Sequence, residues 1–171
     1  MHLAPHAEVE IAVLASEPGF AAHRERLLRA DGILIASGTY WDGFSSLLQQ
    51  FFEEATETEG TSLWLGKPAA CLISAHAVGG KAVLSRLQGV LVTLGVAIPP
   101  MSGLVITEAA QLAIERAHDS DDTSDFWSPS DLEVVCHNLL AAAQGNDRDR
   151  YRAWDVDRRD PKRRWMRSAN S

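Results

Sequence analysis

The chain has 171 residues, 46% hydrophobic and 23% charged, with a formal net charge of −7. That length allows one packed core, and the composition excludes a chain-wide disordered or collagen-like state. No apolar stretch approaches the ~20 residues of a membrane-spanning helix. Met1 to Glu10 lacks the basic-then-apolar pattern of a secretory leader, and Cys71 and Cys136 sit in apolar surroundings that suit buried, reduced thiols, so a cytoplasmic protein is expected.

In chain order, Val9 to Leu14 alternates, with Val9, Ile11 and Val13 on one side and Glu10, Ala12 and Leu14 on the other. This predicts a strand with one partly solvated face at a sheet edge. Pro18-Gly19 marks a turn, and Phe20, Leu27 and Leu28 have helical spacing. Ile33-Leu34-Ile35-Ala36, after Asp31-Gly32, is a continuous apolar run and predicts a central parallel strand covered on both faces. Phe44, Leu47, Leu48, Phe51, Phe52 and Ala55 form one apolar helical stripe, with Glu53, Glu54 and Glu57 off it. Ala69 to Ile73 predicts a second central strand. Val83, Leu84, Leu87, Val90, Leu91 and Leu94 predict a helix that Gly95 stops. Val96 to Ile98 is expected to start a third strand, interrupted by Pro99-Pro100 and continued by Leu104 to Thr107. His118 to Ser130 reads as a solvated acidic loop. Ser128-Pro129 opens a last helix with its stripe at Leu132, Val135, Cys136, Leu139, Leu140 and Ala143, ending at Gly145-Asn146.

Strands alternating with amphipathic helices predict an α/β fold with a parallel sheet between helix layers. Ligands of such sheets sit beyond the carboxyl ends of the strands, which directs attention to two loops. The first, Ser37-Gly38-Thr39-Tyr40-Trp41-Asp42-Gly43, sets two aromatics among hydroxyls and glycines, a combination suited to a planar heterocycle. The same residues are compatible with a purely structural role in which Tyr40 and Trp41 cap the core. In the second, Ser74-Ala75-His76-Ala77-Val78-Gly79-Gly80-Lys81, the glycine pair lets backbone approach a ligand closely. His76 is a candidate to bond a carbonyl edge or to stabilise developing negative charge, or is simply solvated.

At these residues the chain resembles a known family. Ala30-Asp31-Gly32-Ile33-Leu34-Ile35-Ala36-Ser37-Gly38-Thr39-Tyr40-Trp41, followed by Phe44-Ser45, resembles the third strand and loop of flavodoxin-like NAD(P)H-dependent FMN reductases. Gly66-Lys67-Pro68-Ala69-Ala70 with Ser74 to Gly80, and Leu87 through Pro99, are similar to the segments that follow in that family, so the likeness runs from about Glu8 to Pro100. The resemblance implies a flavodoxin-like three-layer sandwich at 1–147 that holds FMN at the strand ends. Ser37, Gly38, Thr39, Tyr40 and Trp41 would lie along the isoalloxazine; Ser74, Ala75, His76, Gly79 and Gly80 would approach its pyrimidine edge. It also implies hydride transfer from NAD(P)H through FMN to free flavin or a quinone-type acceptor, in a homo-oligomer. No side chain is required as catalyst for the hydride step, with His76 the one candidate.

Three departures stand out. The family's first strand and phosphate-binding loop have no match before Val9, which predicts an N-terminally shortened or degenerate member. Gly38 replaces the usual Pro and Gln49 the usual Lys. The alternative function is therefore a non-catalytic flavodoxin-like remnant that works as a binding or assembly partner.

Charge is uneven. Residues 148–167 hold nine Lys/Arg and four Asp/Glu, a net of +5, against 7 basic and 19 acidic residues elsewhere, a net of −12. Residues 148–171 read as a mobile basic tail, with Tyr151, Trp154 and Trp165 interleaved, and any nucleic-acid contact would have to come from it. Neither the histidine spacings nor the acidic run Asp119 to Asp125 forms a metal-ligand pattern, and no nucleophile-elbow motif is present.

Overall fold

The computed structural model describes residues 7–116 and 129–145. Three strands, β1 (Ile33–Gly38), β2 (Ala69–Ala75) and β3 (Gly103–Thr107), form one parallel sheet in the order β1-β2-β3. The helices are α1 (Arg24–Arg29), α2 (Ser46–Ala55), α3 (Gly80–Leu94), α4 (Glu108–Arg116) and α5 (Leu132–Gly145). Strand β2 is central and nearly all buried. Its Ala69, Cys71 and Ile73 face the main core with α2 and α3. Its Ala70 and Leu72 face a smaller cluster built with Val135, Leu132 and Leu139 of α5. The period-two alternation of a strand thus divides β2 between two helical layers, as predicted.

The periodic helices form where their stripes predict. In α2, Leu48, Phe51, Phe52 and Ala55 are buried, and Ser45 caps the helix by accepting from the Leu48 N–H at 3.3 Å. Phe20, Phe51 and Trp64 pack with ring centroids 5.6–6.4 Å apart. Trp64 is fully buried and its Nε1–H donates to Thr58 Oγ1 at 2.8 Å. Helix α3 ends at left-handed Gly95, φ 107°. The ammonium of Lys67, fully buried, donates to the Leu27 carbonyl and ties the α1 segment to the start of β2.

Three sequence expectations need correction, and one element was not expected. Val9 to Leu14 forms no strand: Ile11 is 78% exposed, Val9 and Val13 are half exposed, and only Leu14 packs against the core. Alternation supplies a face but no pairing partner. The segment is held instead by ion pairs of Arg26 with Glu10, at 2.7 Å, and with Glu17. Second, and as a consequence, Ile33 to Ala36 lies in an edge strand, not a central one. Ile33 and Ile35 pack on the main core and Leu34 on the α5 side, but among the described residues β1 pairs only with β2. An apolar run reports covered faces and is silent about the edge. Third, Val96 to Ile98 makes a single bridge, Pro68 with Ala97, and the third strand is Gly103–Thr107 beyond the prolines. The unexpected element is α4, which follows β3 with no intervening loop.

The last helix begins with a 3₁₀ turn at Pro129–Asp131. The acidic segment up to residue 128 and the basic tail lie outside the described residues.

Candidate functional site

The two loops meet at the carboxyl ends of β1 and β2. The register pairs Gly38 with Ser74, and the Thr39 N–H donates to the Ser74 carbonyl at 2.8 Å, carrying the pairing one residue past the strand. Beyond it, Tyr40 and Gly43 exchange two backbone hydrogen bonds, 2.8 and 2.9 Å, closing a two-residue turn on Trp41 and Asp42. Both central residues have positive φ, 46° and 59°. That is the geometry of a type I′ turn, which favours Gly, Asn and Asp. Asp42 conforms to it. A tryptophan there is strained, at a cost of about 1–2 kcal/mol.

Trp41 recovers nothing by packing, because it is fully exposed. The core-capping role that the sequence also allowed is therefore excluded for Trp41. Tyr40 is half exposed, and its ring edge lies 3.1 Å from where a Gly38 Cβ would stand. Gly38 thus makes room for the tyrosine ring. Ser37 Oγ donates to the Gly38 carbonyl and accepts from the Ser45 N–H, each at 3.0 Å, so it braces the loop against α2. Thr39 Oγ1 is buried with no hydrogen-bond partner, which leaves a polar atom that a bound group could satisfy.

The second loop turns into α3 at Gly79, φ 86°. A Cβ at Gly79 would stand 2.8 Å from Asp42 Oδ1, and one at Gly80 only 2.4 Å from Val105 Cγ1. The glycine pair is therefore needed both for the turn and for close contact with the first loop and with β3. His76 projects from the end of β2, and its Nδ1 lies 2.7 Å from the carboxylate of Glu108, the first residue of α4. The structure thus brings the two loops into contact through Gly38 and Thr39 against Ser74 and through Asp42 against Gly79, while the Trp41 side chain is fully exposed and His76 contacts Glu108 instead of the first loop.

Sequence reasoning passed over three residues here. Asp42 and Glu108 reach the second loop through contacts that no linear motif encodes. Arg86 of α3 lines, with Tyr40, Gly43, Phe44, Ser45, Ser46, Leu47 and Gln49, an open groove of about 510 Å³ beside the first loop. Tyr40 is the one predicted residue that borders it.

Both cysteines are free and buried; burial pushes the Cys71 thiol up to about 12 and raises that of Cys136. Among the described residues no cluster of three potential metal ligands occurs, and no helix is long and apolar enough to cross a membrane.

A parallel sheet with glycine-bearing loops at neighbouring strand tips is the setting in which comparison with known proteins becomes specific. The model of one family, the NADPH-dependent FMN reductases, matches residues 5–111. The chain belongs to that family. A 2-hydroxy-1,4-benzoquinone reductase from a Burkholderia species is 25% identical over 139 residues, covering 81% of this chain and 67% of that protein.

Among solved structures, RosB with a bound riboflavin-phosphate intermediate matches with a TM-score of 0.54 at 15% identity, over 70% of this chain and 50% of that one. A WrbA-like flavodoxin from Agrobacterium tumefaciens gives 0.51 at 17%, over 72% and 71%. An apo NADH:FMN oxidoreductase, EMOB, gives 0.51 at 15%, over 74% and 59%. At these identities the structural likeness is one of fold, and it is flavodoxin-like. The chain spans half the length of RosB and about two thirds of the quinone reductase.

Proposed function

We propose that this family member is a flavin-dependent NAD(P)H oxidoreductase, binding FMN across its two strand-tip loops and passing reducing equivalents to free flavin or a quinone. The observation that carries this reading is the Trp41 turn. A fully exposed indole in a strained conformation, leaning on the glycine pair of the second loop through Asp42, is a wall without a visible structural task. A planar ring laid along it would offset the strain.

The fit to the ring end of the flavin is good. Thr39 Oγ1 awaits a hydrogen bond, and Gly79 and Gly80 permit close backbone approach. In this reading Ser37, Gly38, Thr39, Tyr40 and Trp41 form one wall, and Ser74, Ala75, His76, Gly79 and Gly80 the other. The phosphate end fits less well. The loop that the family resemblance implies has no counterpart among the described residues before β1, and the Ser16-Glu17-Pro18-Gly19 turn brings a carboxylate already paired with Arg26. When bound, FMN supplies two-electron hydride chemistry; the protein's part is to hold the ring, shield one face from water and place the acceptor. The quinone choice leans on the Burkholderia relative, which reduces a hydroxybenzoquinone.

Residues 1–147 form the flavodoxin-like domain in this proposal, the basic segment 148–171 is an appendage, and the compartment is the cytoplasm. Homo-oligomerisation is supported by the β1 edge, which is unpaired among the described residues, and by the exposed Val9, Ile11 and Val13. The decisive experiment is to incubate the purified full chain with FMN, desalt it, and record the visible spectrum. A retained flavin band that Trp41→Gly weakens is expected. No retained band together with no FMN-stimulated NADPH oxidation would leave the remnant reading, a binding or assembly partner, in its place.

A further inference from the structure

The open groove beside the first loop has a volume of about 510 Å³, within the roughly 300–1,000 Å³ of small-molecule sites. Tyr40 borders it on the side of the strand tips, and Arg86 of α3 borders it too. Arg86 stands three residues after the fully buried Val83 and four before Val90, which packs on the core. Its stem therefore leaves α3 along the flank that meets the core. Its Nη1 lies 3.8 Å from where a Gly43 Cβ would stand, so the guanidinium sits beside the residue that closes the Trp41 turn.

Among the described residues no hydrogen bond or ion pair engages that guanidinium. The acids nearest in the chain are directed elsewhere: Asp42 Oδ1 stands against Gly79, and Glu53 accepts from the Gln49 amide at 2.8 Å. No Asp or Glu lines the groove; Ser46 and Gln49 add neutral polar groups, and Tyr40, Phe44 and Leu47 an apolar wall. In a chain of net charge −7 the sign is locally inverted, with a forked cation lacking a counter-charge next to a half-exposed aromatic ring. Such a pair recognises a flat base by the ring and a phosphomonoester by the guanidinium.

We propose that this groove takes the adenosine 2′-phosphate end of NADPH and that Arg86 is the residue that distinguishes NADPH from NADH. This rests on the flavin-reductase reading above. The two nucleotides differ only at the ribose 2′ oxygen, a phosphate in one and a hydroxyl in the other, and a nearby arginine favours the phosphate. Because Tyr40 borders both the groove and the strand tips, one extended nucleotide spans them.

The test needs no flavin. NADP⁺ and NAD⁺ differ by the 2′-phosphate alone. Titrated into the ¹⁵N-labelled full chain, both should shift the amides of Gly43, Ser46 and Leu47, with NADP⁺ binding about tenfold more tightly, the lower end for a charge-assisted contact. Raised salt should narrow that ratio. Arg86→Gln should bring it close to one and Arg86→Lys should keep part of it. The remaining amide spectrum of Arg86→Gln should stay in place, which separates a lost preference from a lost fold. Equal affinity for the two probes, shifts confined to other surfaces, or a preference that survives Arg86→Gln overturns the inference. With FMN added, Arg86→Gln should lower the NADPH-to-NADH ratio of kcat/KM about tenfold. An unchanged ratio in an active enzyme overturns the inference and leaves the flavin-reductase reading standing. A chain that prefers NADP⁺ through Arg86 but neither retains FMN nor oxidises either nucleotide overturns that reading and leaves Arg86 as the reader of the 2′-phosphate.

Discussion

Strands β1 and β2 are neighbours in one sheet, both apolar and both ending in a glycine-bearing loop, yet their packing differs. β2 has a strand on each side and helices over both faces, and it uses small residues, Ala69, Ala70 and Cys71, where helices press closest. β1 has larger side chains, Ile33, Leu34 and Ile35, a partner on one side only, and no fully buried residue. The loop after β2 is determined by what it touches, Gly80 against Val105. The loop after β1 carries backbone strain and an unburied tryptophan. The well-packed strand supplies rigidity and the edge strand supplies the surface on which a ligand can act.

The widest test of this contrast truncates one isoleucine on each strand. Both reach the main core. Ile73→Ala on β2 should cost about 4 kcal/mol and Ile35→Ala on β1 about 2 kcal/mol, read from denaturant midpoints. Equal losses would mean that the β1 edge is covered in solution, and the contrast would fail.

A second, smaller effect is alkaline. Burial raises the Cys71 thiol from 9.0 to about 12. The folded state keeps its proton while the unfolded thiol loses it, so this contribution is complete below pH 9 and is lost as pH rises toward 12. The expected slope is at most about 1.4 kcal/mol per pH unit above pH 9. Cys71→Ala should flatten that limb of the stability curve. A wild-type curve with no such limb would show that β2 opens to water locally.

Trp41→Gly should act in the opposite direction to most substitutions. Removing a left-handed tryptophan that buries nothing is expected to raise stability by about 0.5–1 kcal/mol while weakening FMN retention. A loss of stability on thermal melting would assign the indole a packing role.

The smallest effect concerns the segment before β1. The Glu54 carboxylate accepts from the Phe20 N–H at 2.7 Å and from Gln50 at 2.8 Å, and the Phe20 bond first, then Gln50, holds it below its usual value of 4.5. Its contribution is present above that value and lost as pH falls further. Glu54→Gln should therefore speed amide exchange at Phe20 near neutral pH and leave that rate less sensitive to acid; an unchanged Phe20 exchange rate would remove Glu54 from the account of this turn.

Local patterning was sufficient for α2, α3, α5 and β2, because one apolar stripe or run per element encodes which face is buried. It also located both loops, since strand ends and glycine pairs are visible in one dimension. Pairing was not legible. Val9 to Leu14 has the alternation of a strand, but whether a strand forms depends on an available edge and on competing contacts, here the Arg26 ion pairs with Glu10 and Glu17. Nor could spacing show that Gly103–Thr107, beyond two prolines, would outcompete Val96 to Ile98 for β2.

The residue order by itself determined the α/β architecture and the chemistry offered at the strand tips, because burial periodicity and backbone permissiveness are properties of short segments. Only tertiary structure decided that β1 is an edge, that Asp42 meets Gly79, and that Glu108 meets His76. Those depend on distances between segments tens of residues apart, which are set by how the helices pack on the sheet and leave no trace in local spacing.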